Sequence, residues 1–141
     1  MSFLIDTCVV SELTKRRRNP GVVAWMQEQD ESGLFLSMVT VGELEKGIAG
    51  VTDTTRRRRL REFLEVDIVE RFRERTLATD EAVWRRWGLL CGRAENDGSP
   101  GPAHRRLIAA VAQVHGLTVV TRNEEDFSRC DVPVLNPWNP S

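Results

Sequence analysis

The four residues FLID at positions 3–6 decide the fold class of this chain. Three apolar residues followed at once by an acid are typical of a short, fully buried strand. Comparable runs recur along the sequence, at residues 34–36 (LFL), 76–78 (TLA), 117–120 (LTVV) and 132–135 (VPVL). They alternate with longer segments of helical periodicity, and this alternation predicts an α/β fold of β-α-β units with a parallel sheet.

Capping residues and apolar spacing predict where the helices begin and end. A helix is expected from about Ser11, and Pro20 opens a second one at its first turn. Thr40 and Glu43 have the spacing of a capping box, so a helix should start near Thr40. A longer helix follows Asp80, and another, uniformly apolar at residues 107–112, should end at Gly116.

The composition favours one globular domain over residues 1–141. The chain has 20 basic and 21 acidic residues, a net charge of -1, and 40% hydrophobic residues, enough for a buried core. No apolar run approaches the roughly 20 residues that span a bilayer, and an acid at position 6 interrupts any secretory signal. We therefore expect no membrane partner. The three cysteines have no metal-binding spacing and cannot all pair, which favours a reducing cytoplasm.

The near-neutral total hides an uneven distribution of charge. Eighteen of the 20 basic residues are arginine, and many lie in two blocks at positions 15–18 and 56–59. The second block is expected on a helix whose apolar side carries Leu60, Phe63 and Leu64. Exposed arginines usually form a solvated surface. At this density they also offer contacts to phosphates, although the net charge excludes binding of nucleic acid by bulk charge alone.

Four polar residues follow predicted strands and should meet at one edge of the sheet. Asp6 ends the first strand, Glu43 follows the second after a short loop, and Asn123 and Asp126 follow the strand that ends at Val120. Ligand sites in open parallel sheets lie beyond the carboxyl ends of the strands. Clustered oxygen ligands of this kind suit Mg²⁺ or Mn²⁺, which could activate water against a phosphodiester.

Each of these residues also has an ordinary structural explanation. Asp6 could cap the following turn, and Glu43 could be the acid of the capping box. Asn123 and Asp126 fit a turn that starts a helix. Their joint placement, more than any single residue, favours a functional site. Cys8 lies close to Asp6, but a nucleophilic role lacks a nearby histidine in the sequence pattern.

The order of these motifs resembles that of the PIN-domain family. Residues 4–13 (LIDTCVVSEL) resemble the family's LIDTNVLSEL start, and residues 37–47 (SMVTVGELEKG) resemble S.VT.AEL..G. Residues 98–112 (GSPGPAHRRLIAAVA) resemble G.P.P..D.LIAATA, with the motif's acid missing, and residues 120–127 (VTRNEEDF) resemble VTRN..DF. The terminal NPW at residues 136–138 is also frequent in the family. Within it, the chain is most similar to VapC toxins of bacterial VapBC toxin–antitoxin pairs, near the FitB-like branch.

The resemblance implies a three-layer α/β/α, Rossmann-like PIN domain that acts as a Mg²⁺-dependent endoribonuclease. It further implies an RNA substrate, a cognate VapB-like antitoxin, and a homodimer or a larger toxin–antitoxin assembly. Carried over by position, Asp6, Glu43, Asn123 and Asp126 are the catalytic residues. Asp6, Glu43 and Asp126 are the expected ligands of Mg²⁺ or Mn²⁺.

Two positions depart from the family pattern. Counted back from residues 107–110 (LIAA), the family's third acid falls on Arg105, and Cys8 stands where the family usually has Asn. Replacing a carboxylate by arginine changes the charge of the site by two units. One such pair at ~4 Å, with an effective dielectric constant near 20, is worth about 4 kcal/mol, which opposes a divalent cation. Arg105 could pair with Asp6 in place of the cation, or extend toward solvent.

Two functions from different classes therefore follow from the sequence. The first is a metal-dependent ribonuclease toxin. The second is a PIN-fold protein with an impaired metal site that binds RNA or antitoxin without efficient cleavage, and Arg105 distinguishes the two. A small-molecule-binding doubly wound domain is disfavoured because no glycine-rich phosphate loop follows the first strand.

Overall fold

The computed structural model describes residues 1–98 and 102–139. Five parallel strands form one sheet in the order β3-β2-β1-β4-β5. The strands are β1 (Phe3–Ile5), β2 (Leu34–Ser37), β3 (Thr76–Leu77), β4 (Thr118–Val120) and β5 (Val134–Leu135). This confirms the predicted α/β class, with β5 at an edge, where Pro133 is tolerated just before the strand.

Within the described residues, seven α-helices connect and cover the strands. They are α1 (Thr7–Glu12), α2 (Pro20–Glu28), α3 (Met38–Ala49), α4 (Thr54–Glu62), α5 (Glu81–Asn96), α6 (Ala103–His115) and α7 (Glu124–Ser128). A π-helical segment, Phe63–Glu70, continues α4, and short 3-10 turns occur at Glu31–Gly33 and Arg73–Arg75. No helix within the described residues has the length and apolarity needed to span a membrane.

Alternation along the strands divides the core between the two faces of the sheet. In β1, Phe3 and Ile5 pack into one hydrophobic cluster with α1, α2 and the π-helical segment, whereas Leu4 packs into a second cluster with α5 and α6. Successive side chains of a strand point to opposite faces. The sheet is therefore covered on both sides, which gives the three-layer architecture and explains why its strands are mostly apolar.

Two helices begin earlier than predicted. Helix α1 starts at Thr7 rather than near Ser11, because the Asp6 carboxylate accepts a hydrogen bond from the Thr7 backbone N–H and caps it. Helix α3 starts at Met38 because Ser37, not Thr40, is its N-cap and accepts a hydrogen bond from the Val39 N–H. The predicted capping box is wrong. Glu43 lies within the helix, so its side chain is available for other contacts.

Three further predicted helix boundaries agree with the structure, whereas the predicted strand at residues 132–135 is shortened to Val134–Leu135. Asn19 caps α2 with Pro20 at its first position, and Asp80 caps α5. Helix α6 ends at Gly116, whose φ of 66° lies in the left-handed region that favours glycine. The motif that begins at residue 98 lies partly outside the described residues, which lack positions 99–101.

Candidate functional site

The candidate site lies where the connections of the sheet change direction. Strand β1 pairs with β2 on one side and with β4 on the other, so the chain runs outward from the centre in both directions. In open parallel sheets this switch point forms a crevice at the carboxyl ends of the strands. Asp6 follows β1 and Thr121 follows β4 at this crevice, and the Asp6 backbone N–H donates to the Val120 carbonyl at 3.0 Å.

Asp6 is the centre of the site and its side chain is fully buried. Its Oδ1 accepts the Thr7 backbone N–H at 2.8 Å, and its Oδ2 accepts the Thr121 hydroxyl at 2.7 Å. The same Oδ2 accepts the Cys8 thiol at 3.6 Å and Arg105 Nη1 at 2.8 Å. Burial of a carboxylate is tolerated when hydrogen bonds and an opposite charge compensate for the lost hydration.

Arg105 reaches Asp6 from the first turn of α6. Its side chain is 18% exposed, and besides the Asp6 contact its Nε lies 3.6 Å from Asp126 Oδ2. That Nε is buried and has no hydrogen bond. Asp126 therefore attracts the guanidinium through its charge and not through a hydrogen bond. Of the two conformations that the sequence left open for Arg105, the structure has the ion pair with Asp6.

Glu43 joins the same network through Thr7. The Thr7 hydroxyl donates to Glu43 Oε1 at 2.7 Å and also lies 3.0 Å from the Thr40 hydroxyl. His104 Nε2 lies 3.8 Å from the other carboxylate oxygen of Glu43. Thr7 therefore bridges the two acids, with its backbone N–H on Asp6 and its hydroxyl on Glu43.

Asn123 lies at the start of α7, near Asp126 but outside the hydrogen bonds to Asp6. Its backbone N–H donates to the Thr121 hydroxyl oxygen at 3.0 Å, and its side chain does not cap the helix. Asp126 is one-third exposed and lies on α7. Of these two residues, Asp126 is the one that lies beside the Arg105 guanidinium.

Cys8 is held as a neutral thiol. Burial raises its pKa above the ordinary value of 9.0, and the neighbouring Asp6 carboxylate raises it further. Because the thiolate is the nucleophilic form of cysteine, the structure disfavours a nucleophilic role for Cys8, as the sequence did. Its thiol instead donates toward Asp6 and accepts the Arg122 backbone N–H at 3.4 Å.

The residues as they are arranged do not fit a divalent cation. A carboxylate has about four lone-pair sites, and Asp6 already accepts from Thr7, Cys8, Thr121 and Arg105. Arg105 places a positive charge between Asp6 and Asp126, two of the three expected ligands. Among residues 1–98 and 102–139, no group of three or more histidine, cysteine or acidic side chains has a geometry that could hold a metal ion.

Sequence reasoning identified the acids and Arg105 but missed the two threonines. Thr7 is the second residue after β1, next to Asp6, and Thr121 is the first residue after β4, two residues before Asn123. A hydroxyl at that position can reach a carboxylate on the neighbouring strand connection, as both do here. Their position within two residues of a strand end was the signal that could have found them.

Fold and site together define a parallel α/β protein with an acidic pocket at its switch point. The PIN domain model matches residues 3–133, and the chain belongs to the PIN-domain family. Toxin FitB of Neisseria gonorrhoeae is 37% identical over 97% of this chain and 99% of its own length. The VapC ribonuclease Y4jK of Sinorhizobium fredii is 33% identical over 99% of both chains.

Solved structures give the same relationship. The crystal structure of FitAcB from Neisseria gonorrhoeae superposes with a TM-score of 0.92 and 36% identity, covering 98% of this chain and 99% of that one. The structure of FitAB bound to an IR36 DNA fragment gives a TM-score of 0.92 at 34% identity, over 99% of this chain and 97% of that one. The similarity to VapC and FitB proteins therefore extends over nearly the whole chain.

Proposed function

We propose that this chain is the toxin component of a bacterial toxin–antitoxin pair, that it acts on RNA, and that Arg105 impairs its metal-dependent cleavage. The observation that carries this proposal is the 2.8 Å hydrogen bond from Arg105 to the buried Asp6. This contact leaves the fold and the acidic pocket in place, and it puts the Arg105 cation on the central acid, Asp6. A protein built in this way can still bind a partner or RNA through its surface.

The antitoxin partner is supported by the similarity to toxin proteins. The chain covers nearly all of Toxin FitB, and a related structure is that of FitAB on a DNA fragment. A chain this similar over its full length is expected to keep the surface that its relatives use in such assemblies. We therefore propose a small cognate antitoxin as partner and a homodimer within the complex.

The RNA substrate is supported by relatives that are named ribonucleases and by the arginines of α4. The VapC ribonuclease Y4jK is one such relative. Arg56, Arg58 and Arg59 are exposed on α4. Their side chains can therefore contact phosphates without first breaking an ion pair within the described residues. Arginine is the side chain best suited to bidentate phosphate contacts.

A second candidate is the Mg²⁺- or Mn²⁺-dependent endoribonuclease of the sequence-based prediction. It is favoured by one structural observation: Asp6 and Glu43 are joined through Thr7, and Asp126 lies on the other side of Arg105. In this candidate Asp6, Glu43 and Asp126 would be metal ligands, with Asn123 nearby. It requires the Arg105 guanidinium to leave Asp6.

An RNA-cleavage assay with added Mg²⁺ separates the two candidates. The purified protein would be compared with R105D and with E43Q, which alters a partly exposed acid without disturbing Asp6. The proposal predicts little cleavage by the unmodified protein and a gain in R105D. Cleavage by the unmodified protein that requires Mg²⁺ and is lost in E43Q would establish the second candidate instead.

The partner is tested separately, without reference to cleavage. Genes for this chain and for the small reading frame beside it would be co-expressed and purified through a tag on the small protein. Recovery of a stable complex of defined stoichiometry supports the toxin–antitoxin assignment. Failure of every adjacent small protein to bind would contradict it.

A further inference from the structure

The two residues that depart from the family pattern meet at a single atom. Cys8 and Arg105 are far apart in sequence, yet both donate to Oδ2 of Asp6, at 3.6 and 2.8 Å. Thr121 donates to the same oxygen, and the Thr7 backbone N–H occupies the other. Three of the four donors to this buried carboxylate thus converge on Oδ2, so a cation would bind that oxygen only by displacing one of them.

We infer that Arg105 is the resident counter-cation of the pocket, and that R105D would expose a latent divalent-cation site. The guanidinium lies between Asp6 and Asp126, where it balances a buried charge and a half-buried one. The charge of Asp6 is therefore balanced in the unmodified protein without a metal ion. The inference rests on the proposed function in one respect, the Arg105–Asp6 contact, but it concerns the charge balance of the site and is tested without RNA or antitoxin.

The substitution R105D changes both the charge around Asp6 and the hydrogen bonds that Asp6 accepts. In R105D the cation that now repels a metal ion is replaced by a carboxylate on the same turn of α6, and Asp6 Oδ2 loses its strongest donor. Adjacent carboxylates without a cation repel one another, so the folded state of this variant is expected to gain stability from a divalent ion. Binding to the folded state alone raises the melting temperature.

The test uses Mn²⁺ alone as probe, with two readouts that need neither RNA nor antitoxin. Free Mn²⁺ would be measured by electron paramagnetic resonance during titration of the full chain, and melting temperatures would be compared with and without EDTA. The unmodified protein is expected to show no stoichiometric Mn²⁺ binding at about millimolar concentration and no effect of EDTA. R105D is expected to bind at least about tenfold more tightly and to melt at a higher temperature with Mn²⁺.

Two further variants keep the test informative. R85D makes the same change of net charge at a side chain that is 79% exposed on α5, and it should behave like the unmodified protein. R105Q removes the cation without adding an acid, so it provides a second measurement if R105D does not fold; it should bind Mn²⁺ more tightly than the unmodified protein. Stoichiometric Mn²⁺ binding by the unmodified protein, or equal binding by R105Q and the unmodified protein, would overturn the inference.

Discussion

The arginines on α4 and the arginine beside Asp6 differ in their exposure to solvent, and this difference separates two roles of arginine in the molecule. On α4, the side chains of Arg56, Arg58 and Arg59 are exposed to solvent. In the pocket, Arg105 is 18% exposed and bonded to an acid with no exposure at all. Exposed ion pairs contribute little to stability, whereas removing one member of a buried pair leaves an uncompensated charge. The exposed α4 arginines are thus available to bind a ligand, whereas Arg105 neutralises a buried charge of the folded protein.

The Glu12–Lys15 pair is intermediate between these two extremes. Its carboxylate is buried, but Lys15 is more than half exposed, and the two are 2.9 Å apart. The Asn19 backbone N–H donates to the other oxygen of Glu12 at 3.0 Å. The cation is thus 18% exposed beside Asp6 and 57% exposed beside Glu12, and the α4 arginines are exposed as well.

The largest effect is expected for D6N. The substitution removes the charge that compensates Arg105 and should lower the free energy of unfolding by about 3 kcal/mol. Urea denaturation followed by circular dichroism measures it, with E81Q as control. That variant breaks a pair with Arg85 exposed on both sides, and should change stability by no more than about 0.5 kcal/mol. A D6N protein that is more stable than the unmodified one would indicate a repulsive acid cluster instead.

A smaller loss, of about 1 kcal/mol at neutral pH, is expected for E12Q. The hydrogen bond from Lys15 is the main cause that lowers the pKa of Glu12 below its ordinary value of 4.5, and the Asn19 N–H lowers it further. A carboxyl group whose pKa is lowered by folding stabilises the folded protein at pH values above its unfolded-state pKa. This stabilisation is lost as the pH falls through the folded-state pKa.

Unfolding free energies measured from pH 7 to pH 3 would test this behaviour. The difference between E12Q and the unmodified protein should be constant near neutrality and should shrink below about pH 4.5, the ordinary value for this carboxyl. A difference that stays the same throughout would show that the charge of Glu12 does not contribute.

A loss of about 0.5 kcal/mol is expected for D126N. Asp126 is one-third exposed, and its oxygen lies 3.6 Å from Arg105 Nε without a hydrogen bond. Urea denaturation under the conditions used for D6N provides the comparison between the two acids that face the same guanidinium. A D126N effect as large as that of D6N would mean that Asp126, not Asp6, is the principal partner of Arg105.

The smallest effect on stability is expected for the double variant R56Q/R58Q, within about 0.5 kcal/mol because both side chains are exposed. Its effect on RNA should be distinct: weaker binding of a single-stranded RNA, and a logarithmic salt dependence less steep by about 1 to 2. Fluorescence anisotropy at several salt concentrations measures both. Unchanged affinity and slope would exclude the α4 arginines from RNA binding.

Much of the fold could be predicted because the strands are short, apolar and bounded by capping residues. Asn19, Asp80 and Gly116 mark element ends by local chemistry, which sequence displays directly. The error at Thr40 arose because Ser37 and Thr40 both have a hydroxyl that can cap a helix. Only the position at which β2 ends selects between them.

The site was predictable as a set of residues but not as a network. The strand ends place Asp6 and Glu43 at one edge, but not the bridge that Thr7 forms between them. The sequence left Arg105 free to pair with Asp6 or to extend into solvent. That choice depends on the angle at which α6 enters the sheet edge, and the angle follows from packing along the whole helix.

A crystal structure of the unmodified protein grown with Mn²⁺, with anomalous diffraction recorded for manganese, would test the central claim most directly. The account predicts no anomalous peak beside Asp6, with the Arg105 guanidinium on Asp6 Oδ2 as it is here. A manganese peak bridged by Asp6 and Glu43 or Asp126, with Arg105 turned out to solvent, would contradict it.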